Sequence, residues 1–296
     1  MLKDKNIYVI PCLGFLSVIL VGWIVLMLPI CNNGNVTPFD ALFTAVSATC
    51  VNGLTTVNLS TEYSFLGQLA IAIITEIGAI GFVTFISFIL SFKKKRMSLS
   101  ETLLLSSALN DNHYGKLKQR LKEVIKYTVV IQIIGAILLA VDFIPRFGIK
   151  NGIWYSIFHS ITAFCNAGFD IIGDTSLEIF AKNIYVNIVF IILMFLGSIG
   201  YFVIEDIIGA IKKKRFIHIS FHTKIVLTAS LIIYLVSIML LKIAEPNLTW
   251  LEAVFTSVTA RTTGFSTINM AGTLPITKLI ISFLMIIGGA PRFNLW

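Results

Sequence analysis

The 296-residue chain is 56% hydrophobic and only 13% charged, with a mean hydropathy of +0.89. A soluble domain carries about 25% charge, so the composition excludes an ordinary soluble fold and reads as a polytopic membrane protein. The net charge of +8 then marks basic segments on the cytoplasmic side rather than a nucleic-acid surface.

Lys3 and Lys5 precede an apolar run from Ile7 to Ile30, 24 residues long. That exceeds a signal-peptide core of about 7–15 residues and is enough to cross about 30 Å of hydrocarbon, so a retained span is expected. Thr37-Pro38 reads as an N-cap with proline at the first helical position. The helix that follows, to about Ala48, has 11 residues, roughly 16 Å, or half a membrane. Tyr63–Phe92 is a second apolar run that contains Glu76, Gly78 and Gly81, and Lys93-Lys94-Lys95-Arg96 ends it. Residues 93–126 hold nine Lys and Arg; they read as a cytoplasmic connection with a short helix near Leu99–Leu109. A span over Val124–Phe143 is followed by a short helix, Gly152–Phe164, with Asn151 as its cap. Asn183–Ile204 spans again with Gly197 and Gly200 inside it, and Lys212-Lys213-Lys214-Arg215 stops it. After a span at Ile225–Leu241, Thr249-x-x-Glu252 is a capping box that opens a third short helix. The last apolar run, Leu279–Ile287, leads into Gly288-Gly289-Ala290-Pro291.

The short segments are copies of one another. Phe43-Thr44-Ala45-Val46-Ser47-Ala48, Phe158-His159-Ser160-Ile161-Thr162-Ala163 and Phe255-Thr256-Ser257-Val258-Thr259-Ala260 each run on to a glycine, Gly53, Gly168 and Gly264, at intervals of 10, 10 and 9 residues. A glycine pair in the following span recurs 25, 29 and 24 residues later, beginning at Gly78, Gly197 and Gly288. The unit is therefore span, short helix, glycine, span. It divides the chain into a first repeat at 1–96, a cytoplasmic connection at 97–120, a second repeat at 121–215 and a third, incomplete one at 216–296. With the N-terminus inside, 16 of the 23 Lys and Arg residues fall on cytoplasmic segments and six outside. The positive-inside rule thus places a multi-pass protein in the cell membrane with its N-terminus cytoplasmic and all three short segments entering from outside. Repeats of one orientation are related by an axis along the membrane normal. The expected fold is all-α, with tandem span–short helix–span repeats around a pseudo-fourfold axis.

Irregular backbone at membrane depth is tolerated only where it faces protein or a wet cavity. A half-helix that turns back through a glycine exposes carbonyls able to replace the water around a cation. Glycine permits the positive φ and close approach such a turn needs, and the negative end of the helix dipole lies at the turn.

At these residues the chain resembles the Trk/Ktr/HKT potassium transporter superfamily. Ser47-Ala48-x-Cys50-Val51-x-Gly53-Leu54, Ala163-Phe164-Cys165-Asn166-Ala167-Gly168-Phe169 and Thr259-Ala260-Arg261-Thr262-Thr263-Gly264-Phe265 are similar to its first three selectivity-filter loops. Gly288-Gly289-Ala290-Pro291 is similar to the start of its intramembrane gating loop. The chain begins directly at the first repeat's span, which is the pattern of a Ktr-type pore subunit. The resemblance implies a potassium uptake subunit that binds K+ through Asn52, Gly53, Ala167, Gly168, Thr263 and Gly264, with a gating loop at Gly288 and Gly289. It also implies a homodimer regulated by a cytosolic nucleotide-binding ring (KtrA/TrkA-like), no cofactor, and coupling to Na+ or H+ left open. Two departures stand out. Asn52 occupies a position where the family's first loop usually has threonine. The family continues past Pro291 into a further span and a fourth unit, whereas Arg292-Phe293-Asn294-Leu295-Trp296 end this chain. A truncated or frame-shifted product, non-functional by itself, is the expectation.

Other residues read as structural. Gly78, Gly81, Gly197 and Gly200 are expected to be packing sites between spans. Arg261 is expected to pair with a carboxylate. Glu76, an ionisable group inside a span, is expected to be hydrogen-bonded to another helix or to pore water, with direct contact to the ion as the lesser reading. The four cysteines show no metal-ligand spacing and read as small buried hydrophobes. His159 and Cys165 have no third ligand, so no metal or thiol chemistry is expected. Basic runs at 93–96 and 212–215 read as stop-transfer flanks, and the sequons at Asn35, Asn58 and Asn247 as chance triplets. The alternative to a pore is a non-conducting polytopic membrane enzyme or structural subunit, for which no nucleophile–base constellation appears.

Overall fold

The computed structural model describes residues 5–81, 117–173, 175–213 and 219–288. The expected helix at 99–109, the basic run at 93–96, the second half of the basic run at 212–215, and Gly289 through the end of the chain fall outside these residues. The described chain is all-helical, and its only strand-like feature is an isolated bridge between Asn32 and Tyr63. It divides into two compact units, with the boundary between Ile133 and Ile134.

The first unit contains α1 (Lys5–Met27), α2 (Pro38–Thr49), the one-turn α3 (Leu59–Glu62) and α4 (Phe65–Ile80). The three longer helices pack on one another. Helix α2 begins where the sequence places it. Thr37 caps it and exchanges bonds with Asp40 in a reciprocal capping box, and Pro38 occupies the first turn. The buried face of α2 is made of small residues, Ala41, Thr44, Ala45, Ser47, Ala48 and Thr49, so backbones approach closely. Gly22 of α1 faces Ala45, and Gly78 of α4 lies against the carbonyl of Thr49 with no room for a Cβ.

Helix α5 (Leu117–Cys165) runs from the first unit into the second and breaks at Gly148, where φ is 79° and ψ 167°. The interval between the expected span, ending at Phe143, and the expected short helix, starting at Gly152, is thus helical except for a single-residue corner, with Asn151 inside the helix rather than capping it. Pro145 removes a ladder donor just before the corner. Gly152 lets the second half fold back, since a Cβ there would lie 2.6 Å from Ile144 Cα. The remaining elements of the second unit are a 3-10 turn at Glu178–Phe180, α6 (Ile184–Ser198), α7 (Tyr201–Lys213), α8 (Phe221–Ala244), α9 (Trp250–Thr262), a 3-10 turn at Met270–Gly272 and α10 (Pro275–Ile287). Helix α9 is capped by the expected box: Thr249 Oγ1 accepts the Glu252 amide at 3.2 Å, and Glu252 accepts the Thr249 amide at 2.8 Å. It packs against α6, α8 and α10. Leu241, Ala260, Ile281 and Leu284 form the core it shares with α8 and α10.

The second spans are not continuous helices. Helix α4 stops at Gly81 (φ 88°), and α6 and α7 are separated at Gly200 (φ 83°), across which the helix turns by 104°. Helix α10 stops at Gly288 (φ 60°). A residue in the left-handed region cannot continue a right-handed helix, so Gly81 and Gly200 are breakpoints rather than packing sites. Their neighbours three residues earlier, Gly78 and Gly197, keep the packing role: a Cβ on Gly197 would overlap the carbonyl oxygen of Phe164. Among the described residues, Lys122–Cys165 and Phe221–Ala244 are long and apolar enough to cross a membrane, and the bent pair α6–α7 makes a third if counted as one span. Large apolar side chains cover the exteriors, among them Val21 and Ile24 on α1 and Leu231, Leu235 and Ile243 on α8. Such faces are those of a membrane protein.

Candidate functional site: the glycine turns at the ends of the short helices

Two of the short helices end in the same turn. In the first, Val51 N–H donates to Ala48 O and Asn52 N–H to Ser47 O at 3.2 and 2.8 Å. In the second, Asn166 N–H donates to Ala163 O and Ala167 N–H to Thr162 O at 3.1 and 2.8 Å. This paired closure leaves one residue in the left-handed region: Val51 at φ 56° and Asn166 at φ 61°. Asparagine tolerates that conformation, whereas a β-branched valine is strained by it. The glycine two residues on is also left-handed, Gly53 at 74° and Gly168 at 75°. The third short helix has one residue fewer between its phenylalanine and its glycine, and its turn is correspondingly tighter. Thr263 stays right-handed, and Gly264, at φ 99°, donates directly to Thr259 O at 3.1 Å.

The consequence lies in the carbonyls. Among the described residues, the carbonyl oxygens of Asn52, Gly53, Ala167, Gly168, Thr263 and Gly264 accept no hydrogen bond. Ala167 and Thr263 are buried, where backbone carbonyls are otherwise almost always paired, while Gly53 and Gly168 are half-buried and Asn52 and Gly264 exposed. The next carbonyl is treated differently: Thr162 Oγ1 donates to Phe169 O at 3.2 Å, and Thr259 Oγ1 to Phe265 O at 2.9 Å. The hydroxyl one turn inside the helix thus tethers the chain just past the glycine and leaves the glycine and the residue before it with free acceptors. The matching hydroxyl in the first copy, Ser47 Oγ, is buried without a partner. Within the second unit the two loops touch. A Cβ on Gly168 would overlap the carbonyl oxygen of Thr263, and Gly168 and Gly264 are both partly open to solvent. Each short helix points its C-terminal end at its own turn, where the dipole adds negative potential to the carbonyls.

The surroundings contain groups that sequence reading missed. His159 is fully buried. Its Nδ1 lies 2.7 Å from Tyr155 O and its Nε2 2.6 Å from Asp170 Oδ1, so the acid that sequence spacing did not supply comes from two residues past Gly168. Phe143, Phe158, Phe190 and Phe265 enclose the ring. The pair straps the loop to its helix, and both ring nitrogens are engaged. Among the described residues there is no group of three or more His, Cys, Asp or Glu able to hold a metal. Arg261, 7% exposed, sits 5.3 Å from the centre of the Tyr234 ring. Its expected carboxylate partner is not found among the described residues, and the aromatic face takes that place. Glu76 accepts a 2.7 Å bond from Gln132 Nε2, the first of the two kinds of partner expected for it. Cys31 and Cys165 are buried, but Cys12 and Cys50 are exposed; Cys12 lies on the apolar exterior of α1 beside Leu13 and Leu16. Gly288, half of the expected gating motif, ends α10 at positive φ, and Gly289 lies outside the described residues.

Comparison with known proteins agrees with this architecture. The sequence pattern of the TrkH cation transport protein family matches residues 16–292. The chain is 38% identical over 288 residues to the potassium/sodium uptake protein NtpJ of Enterococcus hirae, covering 93% of this chain and 63% of that protein. It is 34% identical over 287 residues to the Ktr system potassium uptake protein B of Bacillus subtilis, covering 93% and 64%. The crystal structure of the potassium transporter TrkH from Vibrio parahaemolyticus has the same fold, with a TM-score of 0.65 at 20% identity over 93% of this chain and 56% of that one. The chain thus spans a little under two thirds of the relatives it matches.

Proposed function

The chain belongs to the TrkH family of cation transport proteins, and from that premise we propose that it is a pore-forming subunit for potassium uptake across the cell membrane. Its three glycine turns supply carbonyl ligands for a dehydrated K+: Asn52 and Gly53, Ala167 and Gly168, Thr263 and Gly264. The observation that carries this reading is that these six carbonyls accept no hydrogen bond among the described residues while the carbonyls just past two of them are tethered by Thr162 and Thr259. An array of oriented, unpaired backbone oxygens at the negative ends of helices is suited to replacing a hydration shell. It offers no nucleophile, base or electron carrier for a reaction, and the relatives are named as uptake proteins. No resident cofactor is needed, since the cation is cargo.

The same proposal extends to topology, assembly and gating. The charge count supports a cytoplasmic N-terminus. The Ktr resemblance supports a homodimer working with a cytosolic nucleotide-binding ring. The positive-φ end of α10 at Gly288 supports a hinge where a gating loop begins.

The test is equilibrium binding of radioactive rubidium to the purified 296-residue chain in lipid nanodiscs, with competition by KCl and NaCl. Saturable binding displaced by K+ at much lower concentration than by Na+ is expected, together with its loss in Gly168→Ser. Binding that is absent, or that persists unchanged in Gly168→Ser, refutes the assignment.

A further inference from the structure

Asn166 is a polar side chain that reaches both touching loops of the second unit. It is buried, 7% exposed, and sits in the left-handed turn two residues before Gly168. Its amide Nδ2 lies 2.8 Å from Thr263 Oγ1, 3.0 Å from Thr262 Oγ1 and 3.1 Å from Met194 O, and its Oδ1 accepts the Ser198 amide at 3.2 Å. In the opposite amide orientation the two hydroxyls donate to Oδ1 and Nδ2 donates to Phe164 O at 3.3 Å, but two contacts, to Met194 and Ser198, then pair like with like, against one, to Phe164, in the first orientation. The packing therefore selects the first orientation, in which the amide shares its two hydrogens among three acceptors. Met194 and Ser198 are an i, i+4 pair, the two ends of one rung in the last turn of α6. Asn166 engages both ends of that rung, two residues before the break at Gly200. Gly197 makes the room, since its Cβ would lie 2.6 Å from the end of the Asn166 amide that faces Ser198, which is Oδ1 in this orientation.

One amide thus joins three elements: its own turn, the third loop through Thr262 and Thr263, and the end of α6. It does so where Gly168 and Thr263 meet without space for a methyl group. A ring of carbonyls discriminates between cations through the spacing and stiffness of its oxygens. We propose that Asn166 is a positioning residue that fixes the spacing of the second and third loops, and so determines their preference for a larger over a smaller monovalent cation. The inference rests on the reading of these loops as cation ligands.

The side chain can be removed without disturbing the turn. Asn166→Gly keeps a residue that adopts positive φ freely, whereas alanine would add strain unrelated to the amide. Two readouts on the full chain in nanodiscs separate the claims. The first is residue-resolved hydrogen exchange at the amides of Thr263, Gly264 and Ser198, which needs no cation. The second is the ratio of NaCl to KCl concentrations that displace half of the bound rubidium. The proposal expects at least tenfold faster exchange at those three amides in Asn166→Gly and at least a tenfold fall in the ratio. It also expects the Thr262→Val/Thr263→Val variant to lower the ratio, with little further loss when Asn166→Gly is added. Unchanged exchange overturns the bracket. Faster exchange with an unchanged ratio overturns its role in specificity. If the unaltered chain binds no rubidium, the cation-ligand reading falls and the specificity claim with it, while the exchange rates still report whether the amide joins the loops.

Discussion

Replacing Gly168 by alanine separates two costs that a glycine turn normally confounds. The first is conformational. Gly168 has φ 75°, and an L-residue in the left-handed region costs about 1–2 kcal/mol. The second is steric. The new Cβ would overlap the carbonyl oxygen of Thr263 and lie 3.0 Å from its carbonyl carbon. The obstacle is backbone, which cannot swing aside like the end of a side chain, and overpacking of this kind costs about 1–3 kcal/mol more. Gly264→Ala is the internal control. Its φ is 99°, but nothing lies within 4 Å of the added Cβ, so only the conformational cost applies. The difference between the variants is then about 1–3 kcal/mol, on the order of 5- to 150-fold in a folding equilibrium. Reversible unfolding in mixed micelles, followed for both variants beside the unaltered chain, measures it. Equal destabilisation by the two alanines would refute the close approach of the second and third loops.

Three further outcomes follow from local geometry. Thr249→Ala removes the cap of α9 and should cost about 1 kcal/mol in the same unfolding assay, with Thr249→Ser retaining most of it. Gly197→Ala should be strongly destabilising because its Cβ would strike the carbonyl oxygen of Phe164, whereas Gly209→Ala, with nothing within 4 Å, should stabilise α7 by up to about 1 kcal/mol; the two melting shifts should have opposite signs. Hydrogen bonds from the hydroxyls of Thr37 and then Thr56 hold the carboxyl of Asp40 below the usual carboxylate range. Its contribution to α2 is therefore complete above about pH 4, where the unfolded chain is also ionised, and is lost as pH falls through the depressed value. Thr56→Val should move the midpoint of that loss to higher pH, read from an NMR titration of the Asp40 side chain.

The parts of the fold that sequence reading anticipated are those whose cause is local. Thr37-Pro38 and Thr249-x-x-Glu252 announce helix starts because an N-cap is satisfied within three residues. The three turn glycines were legible because the turn recurs, and even the shorter interval before Gly264 has a counterpart in its tighter closure. The recurring hydroxyl at Ser47, Thr162 and Thr259 was visible as a pattern, but its task was not. At Thr162 and Thr259 it bonds a carbonyl seven and six residues ahead, across the turn, whereas Ser47 Oγ makes no such bond. The breaks at Gly81 and Gly200 were hidden because apolar composition runs through them without interruption; a single φ decides whether the helix continues. Asn166 was out of reach for a different reason. Its hydroxyl partners are 96 and 97 residues away, and no periodicity connects positions that distant. His159 and Asp170 are eleven residues apart, and Asp170 lies past the end of the helix at Cys165, so the strap between them emerges only once the turn at Gly168 is formed.

The central claim is that backbone carbonyls left unpaired at these turns are cation ligands, and crystals of the chain grown in thallium or rubidium salts test it most directly. The account predicts anomalous scattering peaks within coordination distance of the carbonyl oxygens of Gly168 and Gly264, weakened by competition with K+ and absent in Gly168→Ser. Anomalous peaks elsewhere with none at these oxygens, or a protein donor hydrogen-bonded to the Gly168 carbonyl, would contradict it.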